Sequence, residues 1–290
     1  MQLNTFSIVA HDPDERSWGV AVASKFLAAG SLVCWAEANV GAIATQAYAK
    51  VGFGRDGLRL LRAGNNAQEV MTQLLNDDPR KHQRQLAIVD AQGKVSAHTG
   101  ASANDWAGHK LGSNFSVQGN ILKGSEVLDA MSDAYLNSTG ELADRLVAAL
   151  RAGEGAGGDK RGKQSAAVLV VKPGGGYGGD TDRYVDLRVD DDEQPVRKLR
   201  QLLESHHLFF GQAKPDDQLT INEDIARELQ EIMVKEGYMG GDVNGEWDMV
   251  TQQAFWVLVG NENLEERWSP DKNPDKIDKV ALEYLRKRFG

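Results

Sequence analysis

Cysteine occurs once in the 290 residues, at Cys34. That excludes a disulfide within the chain and a zinc site built on thiolates. Cys34 lies in the apolar stretch from Ser31 to Trp35 with no histidine close by to take its proton. It reads as a small buried hydrophobe rather than a thiol nucleophile. Basic runs are missing too. Lys and Arg number 33 against 42 Asp and Glu, a net charge of −9. A surface for nucleic acid needs clustered cations, so no nucleic-acid partner is expected. Long apolar runs are also lacking, and none approaches the roughly 18 residues that would suggest a transmembrane helix. The stretch from Met1 to Ala10 has neither the basic start nor the apolar centre of a secretory signal. The reading is a cytoplasmic chain with no membrane partner.

What is present is an ordinary globular balance, 41% hydrophobic and 26% charged. The length suits one large domain or two ordinary ones. Thr5 to Ala10, Trp18 to Ala23 and Gly41 to Gln46 read as strands, the first two joined by a polar turn with a Pro. Gly54 to Arg62 has helical spacing. Asn66 followed by Glu69 has the form of a capping box ahead of the apolar face Val70, Met71, Leu74 and Leu75. Leu86 to Asp90 and Lys94 to Thr99 suggest a hairpin, and Ser116 to Asn120 a further strand. Ser125 to Asn137 and Glu141 to Ala152 read as amphipathic helices, with Gly153 to Gly158 a flexible loop. Ser165 to Lys172 and Arg183 to Asp190 are strands, and Glu193 to His206 a closing helix. Strands, two helices, strands, two helices and strands again do not make strict βαβ alternation. The order predicts an α+β fold, two mainly antiparallel sheets face to face with helix pairs outside, in αββα layers. A linker is expected at 211–217, dividing a first domain, 1–210, from a small all-helical one, 218–290.

Several segments together resemble a bacterial family labelled domain of unknown function 1028. They are Thr5 to Ala10, Trp18 to Lys25, Gly41 to Gln46, Ala97 to Gly100, Trp106 to His109, Ser116 to Asn120, Gly158 to Ala166 and Asp182 to Asp190. The resemblance covers about residues 4–210 and implies the four-layer αββα sandwich of the N-terminal-nucleophile hydrolases. It also implies a homodimer, since such sandwiches often associate. Leu229, Gln230, Glu236 to Tyr238, Asp242 to Gly245 and Thr251 to Phe255 are similar to a peptidoglycan-binding helical repeat. That likeness implies two helices around a Gly-rich turn, the second capped near Asp248, and a cell-wall fragment as a possible partner.

Hydrolases of this superfamily attack an amide or ester carbonyl with the side chain of the first residue of the mature chain, whose own α-amine takes the proton. The resemblance makes Thr5 the nucleophile. In the family pattern Thr directly follows the initiator Met, whereas here Gln2, Leu3 and Asn4 intervene. Either the Asn4–Thr5 bond is cut, or the true start lies elsewhere, or the hydroxyl is unused. Ser7 is the next hydroxyl on the same strand face. Lys25, ending the second strand beside Ser24, could lower the pKa of Thr5 or be a solvated strand-end lysine. Gln46, Gln118 and Asn120 could supply an oxyanion hole or serve turn chemistry. His98 and His109 lack the spacing of metal ligands, and a structural role suits both better; His98 is retained as a candidate substrate contact. Gly153 to Gly158 and Gly174 to Gly179 fit no phosphate-loop fingerprint and read as flexible loops or lids. Asp190 to Asp192 suit a helix start. No metal and no cofactor is expected.

The leading expectation is an amidohydrolase of the N-terminal-nucleophile type. Its substrate is a small-molecule amide or peptide-like bond. Thr5, Lys25 and Asn120 are catalytic, and Ser7, Ser24, Gln46, His98 and Gln118 bind substrate. The alternative is a non-catalytic ligand- or partner-binding scaffold. In a third reading the helical module is an adaptor that targets or dimerises the main domain.

Overall fold

The computed structural model describes residues 5–103, 105–211 and 215–290. Residues 1–4, which bear on how Thr5 is exposed, and 212–214, within the expected linker, lie outside the described residues. The chain divides into two compact units, Met1–Leu203 and Glu204–Gly290.

The first unit is a mixed α/β assembly whose elements run β1 (Thr5–Asp12), β2 (Ser17–Ser24), α1 (Gly30–Val33), β3 (Cys34–Glu37), β4 (Gly41–Ala47), α2 (Gly52–Arg62), α3 (Ala67–Asn76), β5 (Arg84–Asp90), β6 (Val95–Thr99), β7 (Ala107–Gly112), β8 (Phe115–Asn120), α4 (Glu126–Asn137), α5 (Leu142–Gly155), β9 (Ser165–Val171) and β10 (Arg183–Val189). The helix α6 (Pro195–Phe210) follows and contains the point where the two units divide. Two antiparallel sheets result, ordered β10-β9-β2-β1-β8-β7 and β3-β4-β5-β6.

β1 is buried along its whole length, so both of its faces are specified. Side chains alternate across a strand. Phe6, Ile8 and Ala10 pack with Met131, Leu142, Leu146 and Leu150 of α4 and α5. On the other face Val9, with Val20 and Val22 of β2, meets Ala42, Ala44, Ala87 and Val89 of the second sheet. The outer face of that sheet presents Ile43, Leu86 and Ile88 to Leu58, Leu61, Val70 and Met71 of α2 and α3. Fully burying each such side chain contributes about 1.5–3 kcal/mol.

α5 approaches the sheet and α4 closely because of two glycines, Gly19 on β2 and Gly153 on α5 itself. A Cβ on Gly19 would stand 2.6 Å from Leu146 Cδ1, and one on Gly153 would stand 2.7 Å from Met131 Cγ. Gly153 and Gly155 belong to α5, so the helix extends into the segment expected to be a loop. The Asn66 capping box forms as read: the Asn66 side chain accepts from Gln68 N and Glu69 N, and Glu69 returns a bond to Asn66 N. β7 was not anticipated.

The second unit, beyond the last turns of α6, contains β11 (Gln218–Thr220), α7 (Glu223–Lys235), α8 (Met249–Asn261), β12 (Lys276–Asp278) and α9 (Lys279–Phe289). Its core joins Leu229, Met233, Phe255, Leu258, Trp268 and Leu285. Asn222, Asp248 and Asp278 each cap a helix. Gln230, fully buried, donates to Asn244 Oδ1 and Glu246 O and accepts from Gly245 N, which pins the Gly-rich turn onto α7. The segment similar to the helical repeat is therefore organised around one buried amide. No helix among the described residues is long and apolar enough to cross a membrane.

Candidate active site

Between the two sheets the apolar packing gives way, at one end, to hydroxyls and amides. Thr5, Ser7, Ser24, Gln46, Gln85, Ser116, Gln118 and Asn120 are all at most 1% exposed. The strand registers bring them together. Thr5 pairs with Ser24 across β1 and β2, and its hydroxyl donates to Ser24 Oγ at 3.2 Å. Phe6 pairs with Gly119, so Asn120 stands beside Thr5 on the next strand. Gln46 pairs with Gln85 in the facing sheet.

The hydrogen bonds run in one direction. Ser116 Oγ donates to Gln118 Oε1, Gln118 Nε2 to Ser7 Oγ at 2.6 Å, and Ser7 Oγ to Gln46 Oε1 at 2.6 Å. Gln46 Nε2 continues to Gln85 Oε1 at 2.8 Å and reaches Thr5 O at 3.5 Å. Gln85 Oε1 also accepts from Asn120 Nδ2 at 2.9 Å. Gln85 Nε2 faces three acceptors, Thr99 Oγ1, Gly108 O and Gly119 O, at 2.9–3.0 Å. With donors on one end and acceptors on the other, the orientation of the Gln85 amide is fixed. Gln85 is the hub of the network.

Every member of this network is neutral. Such groups supply preorganised dipoles, which stabilise developing charge in a water-free site. Most are already committed to one another. Gln118 is bonded at both ends. Asn120 has spare capacity: Oδ1 is buried with no partner among the described residues, and Nδ2 makes one bond. Among the described residues the Thr5 hydroxyl is bonded to Ser24 Oγ and to no carboxylate, imidazole or ammonium.

Two expected residues have other attachments. Lys25 is exposed; its ammonium reaches the Lys163 carbonyl at 3.3 Å and its backbone N–H donates to Asp159 Oδ2. Asp159, buried and paired with Arg161 at 2.7 Å, organises that loop. Beside it a cleft of about 80 Å³ is lined by Ser24, Phe6, Gly158 and Lys163. His98 is bonded to the Lys81 carbonyl at 2.9 Å. On β6 it is Val95, Ala97 and Thr99 that pack or bond between the sheets, and alternation turns His98 to the opposite face. Neither residue is brought to the hydroxyl of Thr5. Burial raises the pKa of the Cys34 thiol well above its ordinary value, which makes it a poor nucleophile. Among the described residues no cluster of His, Cys, Asp or Glu could hold a metal ion.

Sequence reasoning passed over Gln85 and Thr99. The available signal was alternation: Gln85, Ala87 and Val89 share one face of β5, as Val95, Ala97 and Thr99 share one face of β6. A larger cleft, about 380 Å³, lies at the edge of the two sheets beside Thr99 and His109.

No curated protein matches the chain. Among solved structures, the crystal structure of protein SPO2555 from Silicibacter pomeroyi is 34% identical, with a TM-score of 0.64 over 70% of this chain and 89% of that one. Anbu (ancestral beta-subunit) from Yersinia bercovieri is 12% identical with a TM-score of 0.34, over 69% of this chain and 93% of that one; a likeness that slight carries no argument. Residues 209–285 match a family described as "Putative peptidoglycan binding domain". Residues 5–199 match the "Family of unknown function (DUF1028)", to which the Silicibacter protein is also assigned, and the chain belongs to that family.

Proposed function

We propose that residues 1–210 form an αββα sandwich of the N-terminal-nucleophile type and act as an amidohydrolase on a small amide or peptide-like bond, with Thr5 as nucleophile. The observation that supports this most is the position of Thr5 at the head of the central strand β1, its hydroxyl bonded to Ser24 and beside the Asn120 amide, which has one N–H to spare. Thr5 is a nucleophile without a side-chain base, the situation in which a free α-amine serves. Such an amine, with a reference pKa of about 8, is neutral often enough at pH 7 to accept a proton.

In this mechanism the Asn4–Thr5 bond is cut first. The α-amine of Thr5 then takes the proton from its own Oγ1, and the oxygen adds to the substrate carbonyl. The remaining N–H of Asn120 Nδ2 donates to the oxyanion. The C–N bond breaks as the amine returns the proton to the leaving nitrogen. Water then cleaves the ester and restores the Thr5 hydroxyl. Ser24, Ser7, Gln46 and Gln118 hold the arrangement. The module at 218–290 takes a cell-wall fragment and brings the first domain to it.

A second reading, a scaffold without catalysis, is favoured by one observation: most hydroxyls and amides around Thr5 already satisfy one another. Hydrolysis of a panel of N-acyl amides and dipeptide amides separates the two. The amidohydrolase reading expects turnover by the wild type, reduced turnover by Thr5→Ser and a loss of roughly a thousandfold or more in Thr5→Ala. Binding without turnover, equal in wild type and Thr5→Ala, supports the scaffold.

A further inference from the structure

The cleft of about 380 Å³ at the sheet edges is of a size that suits a small ligand. β6 and β7 are the outermost strands of their sheets, and they meet there. Ala107 and Gly108 form part of the wall, and Ala107 pairs with Asn120, which stands beside Thr5. At about 4.8 Å per strand, the wall lies roughly 10 Å from Thr5.

The buried network determines what the cleft offers. Thr99 Oγ1 accepts from Gln85 Nε2, whose orientation is fixed by the two amides on its other end. The hydrogen of the Thr99 hydroxyl is therefore available for His109 Nδ1, 2.9 Å away. A Thr99 hydroxyl that donates to His109 Nδ1 makes that nitrogen an acceptor and leaves the ring proton on Nε2. Partial desolvation, with the neighbouring His98, lowers the pKa of His109, which agrees with a neutral ring. Among the described lining residues the acidic side chain is Asp105, which pairs with Lys160 at 3.7 Å. Glycine and alanine fill most of the rest, so the walls select for small size.

We propose that this cleft is a binding site for a neutral amide, whose carbonyl accepts from His109 Nε2–H and whose N–H donates to Asp105. A carboxylate in the same position meets Asp105 and is disfavoured. The inference rests on the amidohydrolase reading of Thr5 in one respect: the bound amide belongs to the substrate. An extended chain covers the roughly 10 Å to Thr5 with about three residues. The substrate class is thus peptide-like, with a second amide some three residues from the one that is cut.

The test uses the full chain with nitrogen-15 in its histidines. At pH 7.5 the His109 ring is expected as the Nε2–H tautomer. N-acetylglycine methylamide is expected to shift its signals, while acetate leaves them in place. Thr99→Val removes the donor to Nδ1, so the tautomer becomes mixed and the amide binds about fivefold more weakly, the effect of losing one hydrogen bond. An Nδ1–H tautomer or an imidazolium in the wild type overturns the proposal. So does acetate acting like the amide, or an amide that leaves His109 unmoved. The same titration in Thr5→Ala keeps the two ideas apart. Binding retained there, in a protein whose wild type cleaves nothing, leaves the cleft standing and removes the amidohydrolase reading. Turnover that depends on Thr5 while His109 stays silent does the reverse.

Discussion

Thr5 and Ser24 face each other across the first hairpin, hydroxyl to hydroxyl at 3.2 Å, and both are buried. The pair lies where β1 and β2 meet the polar end of the inter-sheet space. Around it, amides take the place of the valines and alanines that fill the other end.

The hub residue Gln85 should be the most sensitive polar position in the first unit. Gln85→Leu is close in volume, yet it leaves Gln46 Nε2, Asn120 Nδ2 and the carbonyls of Gly108 and Gly119 each short of a partner. Unmet buried polar groups cost about 1–3 kcal/mol each. Urea unfolding is expected to show a loss of about 3 kcal/mol or more. A loss below about 1 kcal/mol shows that the network does not hold the sheets together.

His11 makes stability depend on pH. Its ring stacks on Trp18 with centroids 4.7 Å apart, and Nδ1 has no partner among the described residues. Burial lowers its pKa below 6.5, against the raising influence of Asp12 and Asp90. As pH falls through the ordinary histidine range, the unfolded chain gains a proton that the folded one resists. This contribution is therefore present above about pH 6.5 and is lost on acidification. His11→Phe is expected to flatten the decline between pH 7.5 and 5.5 relative to wild type. Parallel stability curves for the two proteins contradict this assignment.

In the second unit, Arg267 and Asp278 form a buried pair at 2.9 Å, with side chains 7% and 0% exposed. Arg267 also donates to the His207 and Leu208 carbonyls at the end of α6, and Asp278 caps α9. Removing one partner strands the other charge, at a cost of about 3–5 kcal/mol. Asp278→Ala is expected to lower the melting temperature of the second unit by calorimetry of the full chain. An unchanged thermogram refutes this.

Gln230→Ala tests the Gly-rich turn. The Gly245 N–H and the Glu246 carbonyl each lose their bond to Gln230. Amide hydrogen exchange across 242–247 is expected to quicken about tenfold or more, corresponding to about 1.4 kcal/mol of local stability. Unchanged protection there means that the turn holds itself.

Much of this architecture was legible locally. The Asn66 box follows from short-range spacing and the Asp248 cap from the likeness to the helical repeat, and both form. The alternation of Thr5 to Ala10 separates an apolar face from one that carries Thr5 and Ser7. β7 was not legible, because Ala107 to Gly112 has no β-branched residue and takes its extended form from pairing with β8. β5 was read as starting at Leu86; Arg84 and Gln85 lack apolar character, although they continue the strand. The amide hub was therefore hidden, since its partners Gln46 and Asn120 lie 39 and 35 residues away in sequence. Residue type alone points to His98, and the strand turns it away from the inter-sheet face, onto the Lys81 carbonyl. Gly153 looked like loop by composition, but it serves the close packing of α5 on Met131.

The amino terminus of the purified protein tests the central claim most directly, by intact mass together with terminal sequencing. The account predicts a chain that begins at Thr5, with a free α-amine beside Ser24 and Asn120. An active preparation that retains any residue ahead of Thr5 contradicts it, because no amine is then available to take the proton from the hydroxyl.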